Sequence, residues 1–251
     1  MEKILSNKDF FDQIAAEYDQ MISFEKAVEN KKKLLKNFIT PDMKYAADLG
    51  CGSGVDSIAL ASLGLTVAAF DPSSEMLKVA KENAERGEVK VKFHNNSIDT
   101  IPIEFNDQFD LVVSLGNAIA NISNKKLIES LQRCYNILKP QGHLLIQVLN
   151  YERIISEKQR IINITEGTDK YFVRFYDFIG EEIIFNILTF VESNPSDNKL
   201  ISTTVYPHSQ ADFNSGLKKA GFNSFYFYED FDLTIFTDKK SKDLIIRAGK
   251  E

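Results

Sequence analysis

The stretch that most constrains the fold runs from Ala46 to Asp56, where an apolar segment meets three alternating glycines. The apolar segment reaches Asp48, the glycines are Gly50, Gly52 and Gly54, and a helical pattern begins directly after them. This order predicts a buried strand, a tight turn and a helix N-terminus. Glycines allow unusual backbone angles and let a ligand approach the main chain closely. The N–H groups at the start of the helix can then face that ligand.

Strand and helix patterns alternate on both sides of this turn. The predicted strands are 45–49, 65–70, 89–94, a fourth beginning at Phe109, and 143–150. Strands that alternate with helices through short connections imply parallel pairing by right-handed crossovers. Continuous apolar runs within the fourth and fifth strands indicate a sheet covered on both faces. We expect the ligand site at the carboxyl ends of these strands.

The regions outside these five strands complete the predicted architecture. Residues 9–38 show helical spacing, and about 158–207 is rich in aromatic and β-branched residues, which predicts an antiparallel insert. Its predicted strands are 171–178, 183–190 and 200–206, with turns at Gly180 and at Asn194-Pro195; a helix at 211–221 and strands at 222–228 and 243–248 follow. The fold class is therefore α/β: a doubly wound, mainly parallel seven-stranded Rossmann-like sheet with a small antiparallel β insert after the fifth strand. We expect residues 1–251 to form one domain.

Composition and charge exclude several classes of protein. The net charge of −6 and the absence of basic clusters interleaved with aromatics argue against a nucleic-acid partner. No apolar window reaches about 18 residues, so we expect no membrane partner. Cys51 and Cys134 are too few for a disulfide framework or a zinc site, and no other cluster suggests a metal. The N-terminus lacks the apolar core of a signal peptide, so we expect a cytoplasmic protein.

The spacing of the glycine turn discriminates between ligand classes. In the dinucleotide fingerprint GxGxxG, the third glycine would fall at Val55, and no Walker lysine follows. The segment Asp48 to Gly54 instead resembles the first motif of class I S-adenosylmethionine-dependent methyltransferases. Three further matches stand in register: Asp71 after the second strand, Asn96-Ser97 after the third, and Phe109-Asp110 at the start of the fourth. The likeness covers roughly residues 10–250, and it makes the predicted domain a methyltransferase domain.

The resemblance implies S-adenosylmethionine as cofactor and a set of residues that contact it. The glycine turn would lie against the methionine part, Asp71 would accept hydrogen bonds from the ribose hydroxyls, and Asn96 with Ser97 would lie near the adenine. Asp71 could alternatively cap the next helix, and Tyr18 could belong to the core instead of closing over the cofactor. The full set implied is Tyr18, Asp48, Gly50, Gly52, Asp71, Met76, Asn96, Ser97, Ser114 and Leu115.

The methyl acceptor is expected at the end of the fourth strand. The Pro-Pro-aromatic motif of DNA amino-methylating relatives is absent, and residues 114–120 look like the matching segment of glycine and sarcosine N-methyltransferases. Asn117 would carry over as a polar contact to the acceptor, or it could cap the following short helix. Leu149 stands where those enzymes have the arginine that grips the carboxylate of glycine, so we expect a neutral or larger acceptor. The predicted catalytic residues are Asn117, Tyr151 and His208, although a lone histidine such as His208 is more often structural.

Two features left alternatives open. Part of the insert could roof the acceptor pocket, although most of its aromatics are expected to pack on the core, and Arg174 could face either solvent or the site. No base is evident, which favours methylation at nitrogen because an alcohol needs a base or a metal. O-methylation and a non-catalytic cofactor-binding protein are the alternatives. The expected partner is a small molecule, and a homodimer is left open.

Overall fold

The computed structural model describes residues 3–180 and 182–251. Seven strands form the main sheet in the order β10-β11-β5-β4-β1-β2-β3. Their bounds are β1 Tyr45–Leu49, β2 Thr66–Phe70, β3 Val91–His94, β4 Phe109–Ser114, β5 Leu138–Leu149, β10 Ser224–Tyr228 and β11 Asp243–Gly249. The helices are α1 Asn7–Ile22, α2 Phe24–Leu35, α3 Val55–Ser62, α4 Ser74–Arg86, α5 Leu127–Ile137, α6 Tyr151–Ser156 and α7 Gln210–Ala220.

The predicted doubly wound sheet is confirmed. β1 pairs in parallel with both β2 and β4, so the strand order reverses beside β1. The antiparallel pairings of the main sheet are β10 with β11 and β11 with β5. Each of β1, β2 and β4 is buried over most of its length, as expected for strands covered by helices on both faces. The reversal places the carboxyl ends of β1, β2 and β4 around a common crevice.

The largest departure from the sequence prediction lies in the insert. Its sheet has four strands in the order β6-β7-β8-β9, not three. Their bounds are β6 Ile161–Glu166, β7 Tyr171–Ile179, β8 Glu182–Val191 and β9 Asn194–Val205. The sequence did not predict β6. This strand lies at the edge of its sheet and its apolar side chains, such as Ile161 and Ile164, are largely exposed, so it lacks a clear alternating pattern.

The predicted turn at Asn194-Pro195 was wrong by two residues. Val191 pairs with Asn194, so the hairpin turns at Glu192-Ser193 and Pro195 lies inside β9. β9 is an edge of its sheet, where a proline without an N–H removes no ladder hydrogen bond if it faces outward. Several strand ends also shift: β2, β3 and β10 start one or two residues later than predicted, and β5 starts at Leu138 across an irregular register with β4.

The insert and the N-terminal helices pack on each other. Phe10, Ile14 and Met21 of α1 form a cluster with Phe172 and Ile187 of the insert. Leu5 N donates to Ser202 O at 2.8 Å, which ties the start of the chain to β9. α1 therefore lies between the insert and the main sheet, above the carboxyl ends of the strands. No helix in the described ranges is long and apolar enough to cross a membrane.

Candidate active site

Two adjoining cavities lie at the carboxyl ends of the strands. The larger is about 820 Å³ and is lined by the glycine turn, α1, α2 and the loop after β3. The smaller is about 290 Å³ and is lined by the ends of β4 and β5 and by the insert. The residues that line both are Phe11, Tyr18, Met21, Gly116, Asn121 and Arg174. A molecule in one cavity can therefore approach a molecule in the other.

Gly50 and Gly52 of the glycine turn line the larger cavity. Gly50, Gly52 and Gly54 all have positive φ angles, +77°, +53° and +94°. A Cβ on Gly50 would stand 2.6 Å from Ala118 Cβ, and one on Gly52 would stand 3.3 Å from Met76 Cε. The chain thus needs glycine here both for its backbone angles and for the space beside it.

Asp71 presents a carboxylate to the larger cavity from the end of β2. Its Oδ2 accepts a hydrogen bond from Gly52 N at 2.9 Å, and its Oδ1 accepts one from Ser73 N at 2.8 Å. Burial raises the pKa of Asp71, and these two N–H donors oppose that rise because they favour the charged form. Each oxygen keeps acceptor capacity. The group can therefore accept two further hydrogen bonds from a pair of neighbouring hydroxyls.

Asp48 lies behind the turn, and its side chain does not line either cavity. It is 1% exposed and accepts a hydrogen bond from Ser57 Oγ at 2.5 Å. Burial, together with the nearby carboxylate of Asp56, raises the pKa of Asp48 to about 8. Asp56 lines the larger cavity and pairs with Lys31 at 3.2 Å. The direct cofactor contact predicted for Asp48 is thus corrected to a supporting position below the turn.

The loop after β3 meets the prediction in part. Ser97 lines the larger cavity, but Asn96 does not, because its Nδ2 donates to Thr100 O at 3.1 Å instead. Asp99 takes a place in the lining that was not predicted, and it pairs with Lys126.

Of the remaining residues implied by the resemblance, three reach the cavity and one does not. Tyr18, Met76 and Leu115 line the larger cavity. Ser114 is fully buried at the end of β4 and lines neither cavity. Successive strand residues point to opposite faces, so Ser114 and Leu115 cannot both reach the same wall, and the prediction for Ser114 is corrected.

Asn117 lines the smaller cavity, but both the nitrogen and the oxygen of its side-chain amide are hydrogen-bonded to other protein groups. Its Nδ2 donates to the Tyr151 hydroxyl at 2.8 Å, and its Oδ1 accepts from Leu149 N at 3.0 Å. Its φ of +71° suits asparagine, and its side chain makes no helix-capping bond. The structure therefore uses Asn117 to join the ends of β4 and β5.

Tyr151 and His208 lie outside both cavities. Tyr151 is 1% exposed, and its hydroxyl stands 3.3 Å from the Tyr176 hydroxyl, so it reaches the smaller cavity only through Asn117 and Tyr176. His208 is buried with its Nε2 at 2.8 Å from Ile122 O, and burial lowers its pKa. The structure does not bring these two predicted catalytic groups to a ligand-accessible wall.

Two further polar groups reach the cavities: Arg174 of the insert, which the sequence left open between solvent and the site, and Asp243 of β11, which sequence reasoning missed. Arg174 of β7 lines both cavities, with its Nε donating to Asn163 Oδ1 at 2.6 Å. A signal for it existed: Arg174 alternates with Phe172 and Tyr176, both buried, and so shares their face of the strand. Asp243, at the start of β11, lines the smaller cavity and accepts from Gln147 Nε2 at 3.1 Å.

The aromatics of the insert divide between the two roles considered. Tyr176 and Phe185, together with Ile187 and Val205, line the smaller cavity. Phe172 packs against α1, and Tyr171 stacks on Phe190 away from the cavities. Across residues 3–180 and 182–251, no group of three or more His, Cys, Asp or Glu side chains is placed to hold a metal ion.

Comparison with known sequences matches this site to one family. Residues 46–142 match the model of a methyltransferase domain. Glycine/sarcosine N-methyltransferase of Aphanothece halophytica is 26% identical over 151 residues, 59% of this chain and 57% of that protein. Ubiquinone biosynthesis O-methyltransferase of Xanthomonas campestris pv. campestris strain B100 is 32% identical over 103 residues, 41% of this chain and 42% of that protein. The matched segments thus span about half the length of these relatives.

Solved structures match over nearly the whole chain. An S-adenosylmethionine-dependent methyltransferase from Clostridium acetobutylicum ATCC 824 has a TM-score of 0.75 at 17% identity and covers 96% of this chain and 98% of its own. The CcbJ methyltransferase from Streptomyces caelestis has the same TM-score and the same coverage at 16% identity. These matches extend the shared fold to the insert and the N-terminal helices.

Proposed function

The chain belongs to the class I S-adenosylmethionine-dependent methyltransferases, and from that premise we propose that it transfers a methyl group from S-adenosylmethionine to a small molecule. The observation that carries the proposal is the pair of adjoining cavities, one walled by the glycine turn and Asp71, the other roofed by the insert. We assign the larger cavity to the donor and the smaller one to the acceptor.

The residues of the larger cavity fit the cofactor. Gly50 and Gly52 present backbone without a side chain to this cavity, and the acceptor capacity of Asp71 suits the two hydroxyls of a ribose. The same cavity is lined by four more of the residues that the resemblance implies, Tyr18, Met76, Ser97 and Leu115. When bound, S-adenosylmethionine supplies a methyl group activated by a positively charged sulfur.

The protein's part in the reaction is chiefly to hold, orient and exclude water. Placing the acceptor beside the donor turns an encounter between two molecules into a reaction within one complex, a large effect when the approach is well aligned. α1 and the insert cover the cavities from the solvent side, and Phe11, Tyr18 and Met21 of α1 line both. Asn117 ties β4 to β5 next to the acceptor, so its role is to position that wall.

We propose nitrogen as the methylated atom. A neutral amine needs only orientation, whereas an alcohol needs a base to remove its proton. His208, the predicted base, lies outside the smaller cavity. The glycine/sarcosine N-methyltransferase relative supports the same choice.

One observation favours oxygen as the second candidate. Asp243 lines the smaller cavity, and burial raises its pKa, which is how a carboxylate becomes a better base near neutral pH. The ubiquinone biosynthesis relative is an O-methyltransferase. Asp243→Asn separates the two: N-methylation of an amine should survive it, and O-methylation should fall about 100-fold, within the range of general-base effects.

A thermal-shift titration tests the proposed donor. S-adenosylmethionine and S-adenosylhomocysteine should each raise the melting temperature of the full chain, because a ligand that binds only the folded state stabilises it. NAD should leave it unchanged. Stabilisation by NAD alone would refute the assignment, and stabilisation by the methyl donor without transfer to any acceptor would support a regulatory protein instead.

A further inference from the structure

The cations around the two cavities differ in how their charge is balanced. Those in the lining are Lys8, Lys26, Lys31, Lys126 and Arg174. Lys8 pairs with Asp12 at 2.6 Å, Lys31 pairs with Asp56, and Lys126 pairs with Asp99. Among the described residues, Lys26 and Arg174 form no ion pair, and Lys26 is exposed to water.

Arg174 is therefore the half-buried cation whose charge the described part of the chain leaves unbalanced. Its Nε donates to Asn163 Oδ1, and the titratable groups that face it are the phenols of Tyr18 and Tyr176, whose raised pKa values keep them neutral near pH 7. Burial lowers the pKa of the Arg174 guanidinium, which still remains protonated. A charge taken out of water without a partner is costly unless a ligand supplies that partner.

The terminal nitrogens of Arg174 remain for such a ligand. Only Nε makes a hydrogen bond within the described residues, and the guanidinium fork matches a carboxylate in a bidentate way. The acid in the same cavity does not use it: Asp243 accepts from Gln147, and its cationic neighbours are Lys31, Arg153 and Lys242. The guanidinium of Arg174 and the carboxylate of Asp243 therefore have separate partners.

The walls around Arg174 describe the rest of the ligand. Apolar side chains line the smaller cavity from α1, from the insert and from the main sheet, namely Phe11, Leu149, Ile162, Phe185, Ile187 and Val205. Leu149 lies opposite Asp243 in the pairing of β5 with β11, so the sheet side offers no cation at that point. A ligand with an apolar body and one anionic end fits this distribution.

We propose that Arg174 is the anchor for a carboxylate on the methyl acceptor, which is thus an organic acid with an apolar body larger than glycine. The inference rests on the proposed function, and it replaces the neutral acceptor of the sequence prediction with the larger one. A second carboxylate could compete for the same fork, because the methionine end of the cofactor also carries one and Arg174 lines both cavities.

The test uses the full chain with the donor cavity filled by saturating S-adenosylhomocysteine. Benzoate and hexanoate are titrated against their neutral amides, benzamide and hexanamide, with affinity read by calorimetry. The acids should bind at least about tenfold more tightly than the amides, since a charge-assisted pair is the difference between them. Arg174→Gln should remove that difference and Arg174→Lys should keep part of it. Arg160→Gln, an exposed arginine just before β6, is the matched control and should behave as wild type.

A second titration separates the two sources of carboxylate. S-adenosylhomocysteine and its decarboxylated analogue should each bind Arg174→Gln as they bind the wild type, which also shows that the variant is folded. A loss confined to S-adenosylhomocysteine would assign the fork to the cofactor and overturn the proposal. Equal binding of acids and amides would overturn it as well, with the donor site intact. Failure of the wild type to bind S-adenosylhomocysteine would instead bring down the proposed function, and this inference with it.

Discussion

One wall of the two cavities is formed by the glycine turn (the glycine-turn wall) and another by the insert (the insert wall). Each wall holds a charged side chain in place, but through different groups. At the glycine turn the carboxylate of Asp71 is held by backbone N–H groups of Gly52 and Ser73. At the insert, Arg174 is held by the side chain of Asn163 on a neighbouring strand. Backbone donors stay in place whatever side chain they carry, whereas a side-chain pair depends on two residues at once. We propose that the glycine-turn wall binds the donor and that the insert wall selects the acceptor.

Asp71→Ala, on the glycine-turn wall, should give the largest effect. It removes the acceptor of two ribose hydrogen bonds and leaves two backbone N–H groups unpaired, so affinity for S-adenosylhomocysteine should fall about 100-fold, corresponding to about 3 kcal/mol. Calorimetry measures the change, and Asp232→Ala, an exposed acid, is the control. An unchanged affinity would remove Asp71 from the donor site.

Gly50→Ala should come next, through the fold itself. Its Cβ would press on Ala118 Cβ at 2.6 Å, and its φ is positive, so the free energy of unfolding should fall by about 2 kcal/mol. Gly64→Ala is the matched control, because Gly64 has φ +95° but no atom near the added Cβ. Denaturant unfolding should show the larger loss for Gly50→Ala; equal losses would mean that the contact with Ala118 does not matter.

Asp48 should make the stability of the donor wall depend on pH. Its pKa is about 8 in the folded chain against an ordinary 3.8, so the folded state holds the proton that the unfolded state loses. The stability is complete below the ordinary pKa and is lost as pH rises toward about 8. Relative to Asp48→Asn, which carries no charge, the wild-type free energy of unfolding should fall by about 1.4 kcal/mol for each pH unit between about pH 5 and about pH 8. Parallel curves for the two proteins would show that Asp48 is ionised throughout.

Tyr151→Phe should give the smallest effect, and only on the acceptor side. It removes the hydroxyl oxygen that accepts a hydrogen bond from Asn117 Nδ2. Losing that hydrogen bond costs about 1 kcal/mol, so methyl transfer should slow about fivefold. Affinity for S-adenosylhomocysteine should not change, since Tyr151 does not line the larger cavity. Weaker S-adenosylhomocysteine binding in this variant would break the division between the two walls.

The same division explains how far the sequence could be read. The turn, Asp71 and Ser97 lie in short segments whose residue types indicate their backbone angles and caps, so their place on the larger cavity was predictable. Asn96 and Ser114 failed because a shift of one residue in a loop or strand turns a side chain away from the cavity.

The acceptor wall was harder because its contacts join distant parts of the chain. Asn117 meets Tyr151, and Tyr151 meets Tyr176, across three separate elements. β6 shows no strong pattern of its own and forms by pairing with β7. The only sequence signal for Arg174 was its spacing of two residues from both Phe172 and Tyr176. This spacing became informative once the buried face of β7 was known.

The most direct test of the whole account is transfer of a labelled methyl group. Purified chain is incubated with methyl-labelled S-adenosylmethionine and a metabolite extract, and the labelled product is identified, with Asp71→Ala in parallel. We expect the wild type to form one labelled small molecule that carries a carboxylate and an N-methyl group. Asp71→Ala should not form this product. A wild type that binds S-adenosylhomocysteine yet labels nothing in the extract would contradict it.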